Sequence, residues 1–326
     1  MQELHDEVIE TFEKVLNGYN LETEEKVSLV DAYLLLRNFG NYHDLSEYAG
    51  ICDNIAKEVN YAAFDKVASF YEQIGPKLKE KITLPLYEKD YTYKDINDRS
   101  DIKKEILDFY KDFDKENYPY LKQLLNNNNH ILLGYNNSPL RDYRNTSGQA
   151  ILHNYEPYVV VKGDGKTDGN PIYISSALVH EIGHVITYRF KDYNKMTGSP
   201  LAEVIPRVAE LSFISTHSNK EEKAKNYFSL LRVYNNELKY ADNKKFSEIQ
   251  HYIAHRYITA ASIGLYLSKL YAEDNKKFKE LYDYIKKYEA TPNENDIFDV
   301  FLNDKDYMNM DYIEEEIEKN KKILLK

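Results

Sequence analysis

Two histidines and a glutamate form the most informative pattern in this chain. Residues 180–184 read His-Glu-Ile-Gly-His, so that His180 and His184 are four positions apart. On an α-helix this spacing puts both imidazoles on one face, one turn apart, where they can bind the same metal ion. Glu181 would then lie beside that ion, close enough to take a proton from an attacking water. The pattern predicts a zinc site that hydrolyses peptide bonds.

The residues around this motif predict that it lies on a buried helix. Ser175 or Ser176 can cap the start of the helix, and Arg189 lies near its negative end. Between them, apolar residues recur at Leu178, Val179, Ile182, Val185 and Ile186. Two histidines in such a helix have one other interpretation, a pair of hydrogen-bonded core side chains. The glutamate between them favours the metal site.

A third metal ligand is expected downstream of the two histidines, with one position left open for water. Glu203 follows His184 by nineteen residues, enough for one helix to end and a second to return past the metal. Ser199 and Pro200 mark the start of that second helix. Glu210 comes seven residues after Glu203 and shares its face. We predict Glu203 as the third ligand. Glu210 either orients a ligand histidine or is an ordinary ion-paired carboxylate.

Helical periodicity dominates the rest of the chain, as in residues 27–36 and 102–125. Strand-like apolar stretches are confined to 131–134, 150–153 and 158–161. The fold class predicted from this pattern is mainly α, with a small β-sheet beside the helix that carries the zinc motif.

The apolar pattern is interrupted by the polar residues 95–101, where we expect a domain boundary near residue 98. Residues 1–98 would form an N-terminal helical domain that covers one side of a cleft. Residues 99–326 would form the catalytic zinc-peptidase domain.

Several stretches resemble the thimet oligopeptidase and oligopeptidase F family of zinc peptidases, which are gluzincins. Residues 145–150 and 155–162 resemble the loop and strand that precede the zinc helix of that family, and 177–184 match the helix itself. The family's third-ligand helix carries two glutamates seven positions apart, as this chain does. The segment 252–266 resembles the tyrosine-rich segment that faces the metal. The resemblance extends over about residues 100–310.

This resemblance implies further catalytic groups around residues 251–257. It favours Tyr257, and next His251, as donors to the oxyanion that forms during hydrolysis. Tyr252 and His255 are weaker candidates for contacts to substrate. On one regular helix Tyr257 lies about 200° away from His255, so these side chains cannot all face the metal.

The chain departs from the family in three respects. Family members are usually much longer, so we expect a shortened N-terminal region here. The loop between His184 and Glu203 is shorter than usual. The histidine and tyrosine near residue 251 are also closer together than in the family pattern.

Composition limits the partners. The chain has 43 Lys and Arg against 54 Asp and Glu, a net charge of −11, and no basic block, so we expect no nucleic-acid or membrane partner. A single cysteine, Cys52, excludes an internal disulfide and is typical of a reducing compartment. The first residues carry no signal peptide, which favours a cytoplasmic location, although a secretion signal removed before residue 1 would leave the same sequence. The oligomeric state is not set by these observations.

The pattern as a whole predicts a zinc metalloendopeptidase that cuts internal bonds of short peptides, with Zn²⁺ as its cofactor and Glu181 as general base. Substrate backbone is expected to pair with a strand edge near Gly148 to Ile151. One alternative is a zinc peptidase of another lineage that acts on proteins. The other is a non-catalytic, zinc-stabilised protein that binds peptides, which Glu181 disfavours because a structural site needs no base.

Overall fold

Helices form most of the chain, and the predicted mainly α fold class is confirmed. The N-terminal region begins with Val8 and Phe12 one turn apart on the first helix, where both are buried. The computed structural model describes residues 2–22, 25–26, 29–30, 32–33, 36, 43–82, 100–126, 131–134, 148–153, 156–162, 171–190, 200–217, 220–243, 248–288 and 295–325. The elements of the N-terminal region are α1 (Gln2–Leu16), a 3-10 helix (His43–Tyr48) and the long helix α2 (Ala49–Ile82).

Helix α2 belongs to two hydrophobic clusters. Its first part, up to Ala56, packs with α1 and the residues between them. From Val67 onward its buried side chains join the larger cluster that contains the rest of the described core. The second half of α2 is therefore part of the same core as the helices that follow it. The domain boundary predicted near residue 98 lies outside the described residues.

A three-stranded sheet follows two short helices. Its strand order is β1–β3–β2, with β1 parallel to β3 and β2 antiparallel to it. Gly148 of β2 is opposite Val161 of β3. Within the described residues β2 is an edge strand. These elements are α3 (Ser100–Phe113), α4 (Tyr118–Asn126), β1 (Ile131–Gly134), β2 (Gly148–His153) and β3 (Glu156–Lys162).

Four helices then build the centre of the molecule. The first of them, α5, contacts β2 and β3 on one side and α6 on another, and α6 in turn packs against α8. The helices are α5 (Pro171–Phe190), α6 (Val204–His217), α7 (Lys220–Ala241) and α8 (Glu248–Glu273), with a 3-10 turn (Pro200–Glu203) directly before α6. All five apolar positions predicted to be buried around the zinc motif are fully buried on α5: Leu178, Val179, Ile182, Val185 and Ile186.

A glycine and a proline set the closest approach of α5 to α6. A Cβ atom on Gly183 would lie 2.5 Å from the Cα of Pro206, so only glycine fits at this point of α5. Pro206 is the third residue of α6, where a backbone N–H has no acceptor within the helix. Proline therefore costs no helical hydrogen bond here. The pair brings the start of α6 directly against the histidine motif.

The last four helices of the described residues pack against the core. Asp304 caps the third of them by accepting hydrogen bonds from the backbone N–H groups of Asp306 and Tyr307. Within the ranges covered by the structure, no helix is both long and apolar enough to cross a membrane. These helices are α9 (Asn275–Tyr288), α10 (Asn295–Leu302), α11 (Lys305–Asn309) and α12 (Asp311–Leu324).

Candidate metal centre

Three predicted ligands meet where α5 crosses the start of α6. The Oε2 atom of Glu203 lies 3.5 Å from Nε2 of His180 and 3.7 Å from Nε2 of His184. The three side chains offer ligand atoms within 4.8 Å of one another. Glu203 is the last residue of the 3-10 turn. The sequence had instead predicted that it lies in the first turn of an α-helix. The turn still aims its carboxylate at the two histidines.

These distances fit a metal ion better than hydrogen bonds. Two ligand atoms bound to one zinc at about 2.1 Å in tetrahedral geometry are about 3.4 Å apart, close to the separations found here. An N–H···O hydrogen bond would be shorter, at about 2.9 Å. The Oε2 atom of Glu203 is buried and has no hydrogen-bond partner among the described residues. The His180, His184 and Glu203 group could therefore hold a metal ion.

The charges around the site favour a cation at its centre. Burial alone would lower the pKa of His180, but Glu203 and Glu210 outweigh it and raise the pKa to about 9. Burial lowers the pKa of His184 to about 4, which leaves this imidazole neutral, as a metal ligand must be. The negative charges of Glu203 and Glu210 that stabilise a proton on His180 would also stabilise a metal ion, so the proton and the metal ion would compete for this site.

Glu181 is buried and follows His180 in the sequence, but it does not belong to the group of three candidate ligands. Burial raises its pKa to about 7, and the charge of Glu203 adds to the rise while His180 opposes it. A carboxylate with a pKa near the working pH suits proton transfer. The Glu181 carboxylate is therefore buried and close enough to His180 and Glu203 for their charges to act on it.

Glu210 lies behind the ligands. Its Oε2 atom is 3.3 Å from Nδ1 of His180, the ring nitrogen that does not face Glu203, and 2.7 Å from a guanidinium nitrogen of Arg207. Burial would raise the pKa of Glu210, but Arg207 and His180 together lower it. The contact with Arg207 is the ion pair that the sequence offered as one interpretation. The orienting role for His180 stays a prediction, because the 3.3 Å approach of Glu210 to Nδ1 does not form a hydrogen bond.

Arg256 and Tyr257 reach the site from α8. A guanidinium nitrogen of Arg256 lies 3.4 Å from Oε1 of Glu203. The Arg256 guanidinium also lies 5.2 Å from the centroid of the Tyr257 ring. The pKa of the Tyr257 hydroxyl is raised, first by the negative charge of Glu203 and then by burial. Tyr257, the oxyanion donor that the sequence favours, is therefore close enough to Glu203 for the charge of that carboxylate to act on its hydroxyl.

The other candidates on α8 point elsewhere. His255 stacks on Tyr71 of α2, with ring centroids 4.1 Å apart and planes 13° from parallel. Nδ1 of His251 lies 3.0 Å from the carbonyl oxygen of Ala241. On a regular helix this pair faces roughly away from Arg256 and Tyr257. These contacts do not bring His251 or His255 to the metal group, and the roles predicted for them stay predictions.

The substrate contacts predicted for Tyr252 and Gly148 stay predictions. The side chain of Tyr252 lies outside the described part of the chain. Gly148 begins the edge strand β2, which contacts α5.

Two arginines that contact the candidate site, Arg207 and Arg256, were not predicted from the sequence. Arg207 had a local signal, because it precedes Glu210 by three positions on a helix. Arg256 had none, since its partner Glu203 is 53 positions earlier.

The fold has a counterpart among solved structures. The crystal structure of "a putative oligoendopeptidase F from Bacillus anthracis str. Ames" superposes with a TM-score of 0.55. The match covers 93% of this chain and 67% of that chain, at 16% sequence identity. No protein-family model matches the chain, and no curated protein matches it. The fold of this chain is therefore similar to that of the oligoendopeptidase F structure, as the resemblance in sequence predicted.

Proposed function

We propose that the protein is a zinc-dependent metalloendopeptidase that hydrolyses internal bonds of short peptides. The observation that carries the proposal is the convergence of two imidazole nitrogens and one carboxylate oxygen beside the buried Glu181. Two histidines and one glutamate are the ligand set of a catalytic zinc, which leaves a fourth position open. A structural zinc site normally closes that position and has no use for a base.

His180, His184 and Glu203 would hold the zinc, which when bound supplies a Lewis acid that activates water and polarises a carbonyl. Glu181 takes the proton of the attacking water and passes it to the leaving amine. Glu210 holds the ring of His180 through Nδ1. Tyr257 donates its hydroxyl proton in a hydrogen bond to the oxygen that becomes negative as the carbonyl is attacked.

The edge strand β2 provides a surface for an extended peptide. An added strand there would form backbone hydrogen bonds that do not depend on the substrate's side chains. Because β2 contacts α5, such a peptide would pass the helix that carries the histidines. The similarity of fold to an oligoendopeptidase F structure supports peptides as the substrate class.

Metal analysis combined with product mapping tests the proposal. Protein purified without added metal is expected to contain about one zinc per chain and to release internal fragments from a mixed peptide library. His180→Ala should lose both the zinc and the cleavage. The exposed Glu280→Gln variant should retain both and serves as control. Full zinc content in His180→Ala would contradict the metal centre, and zinc without any cleavage would favour a non-catalytic protein.

A further inference from the structure

The two carboxylate oxygens of Glu203 lie in different surroundings. Oε2 faces the two histidines, is buried and has no hydrogen-bond partner within the described ranges. Oε1 lies 3.4 Å from a guanidinium nitrogen of Arg256. One oxygen is thus directed at the candidate metal position and the other at an arginine.

We propose that Arg256 is a positioning residue that restricts Glu203 to binding the metal through Oε2 alone. The inference rests on the proposed metal centre but not on peptide cleavage. A carboxylate can bind a metal ion through one oxygen or through both. Binding through both oxygens of Glu203 would occupy the position that the attacking water needs. By holding Oε1, Arg256 keeps that position open.

The surroundings of Arg256 suit this role. Its guanidinium lies against the ring of Tyr257, and its side chain is only 17% exposed, so that few orientations are open to it. A guanidinium presents its donors in a fixed plane, whereas a lysine ammonium is a mobile point charge. Burial would raise the pKa of Glu203, but the two histidines and Arg256 outweigh it and lower the pKa, so the charge of Arg256 helps to keep this carboxylate ionised. The same charge repels a divalent cation. Geometry and charge therefore have to be separated by experiment.

Arg256→Lys separates geometry from charge, since it keeps the positive charge and removes the planar fork. The probe is Co²⁺ in place of zinc, because its visible absorption is intense with four ligands and weak with more. We expect Arg256→Lys to bind Co²⁺ with a weaker absorption than the unmutated protein. Its metal affinity, measured by competition with a chelator, should fall about tenfold or more. Arg256→Gln should show the same loss of absorption.

Arg232→Lys on the exposed face of α7 is the matched control and should leave spectrum and affinity unchanged. Circular dichroism on each variant checks that the fold is retained. A Co²⁺ spectrum and affinity in Arg256→Lys equal to those of the unmutated protein would overturn the inference and leave the metal centre intact. Absence of Co²⁺ binding in the unmutated protein would overturn the metal centre and this inference together.

Discussion

Glu181 is the residue whose proposed role can be separated most cleanly from metal binding. Glu181→Gln keeps the size of the side chain but cannot accept the proton of the attacking water. We expect this variant to retain zinc and to lose peptide cleavage by about 10²–10⁴-fold, the usual contribution of a positioned base. The measurement is hydrolysis of a quenched fluorescent peptide at matched zinc content. Turnover near that of the unmutated protein would rule out Glu181 as the base.

Spacing along the chain predicts some residues of the candidate site and not others. The positions of His180 and His184 follow from helical geometry alone, because four residues make about one turn. Glu203 was predicted from its distance along the chain, because nineteen residues after His184 allow one helix to end and a second helix to pass the metal. The direction of the α8 side chains was not predictable in this way. Helical phase separates His255 from Tyr257, but only the packing of α8 against α2 and α6 decides which of them meets the metal group.

At the scale of elements, the metal site depends on how closely α5 and α6 approach each other. Gly183→Ala would place a methyl group 2.5 Å from the Cα of Pro206, where only backbone movement can relieve the overlap. We expect the two helices to separate, with a loss of about 1–3 kcal/mol in the free energy of unfolding, as for other overpacked sites. Weaker zinc binding should accompany it, because Glu203 lies at the start of α6.

Gly50→Ala is the control for this substitution. Gly50 also lies on a helix, and a Cβ there meets nothing within 4 Å. Alanine should therefore be neutral or slightly stabilising at this position. Thermal unfolding and chelator competition on both variants make the comparison. Equal melting temperatures for the two would show that the contact between Gly183 and Pro206 does not limit helix packing.

Elements were predicted from sequence more accurately in type than in boundary. The strand-like stretch at 150–153 is part of the longer β2, because pairing with β3 extends regular hydrogen bonding to Gly148. The 3-10 turn before α6 was expected to be part of an α-helix. Pro200 and Pro206 both tolerate helical dihedral angles, so the sequence alone does not distinguish the two helix types.

At the scale of the whole molecule, contacts join α2 to the helices of the metal centre. Tyr71 of α2 stacks on His255 and donates a hydrogen bond from its hydroxyl to Asp242. Lys79 of α2 forms an ion pair with the same Asp242. The second half of α2 also shares the main hydrophobic cluster with α5, α6 and α8. The second half of α2 is therefore anchored to the helices that carry the metal group, and the cover that the N-terminal region is predicted to give one side of a cleft stays a prediction.

This anchoring predicts the size of the substrate. A cleft covered on one side by N-terminal helices, as the sequence predicts, would admit an extended chain and exclude a folded domain. We expect efficient internal cleavage of short unstructured peptides and little cleavage of a folded protein. Incubation with peptides of graded length and with one folded protein, followed by mass spectrometry of the products, measures this. Glu181→Gln, prepared in parallel, controls for contaminating proteases. Internal cuts in the folded protein would favour an open cleft and a peptidase of another lineage, whereas release of single terminal residues would indicate an exopeptidase.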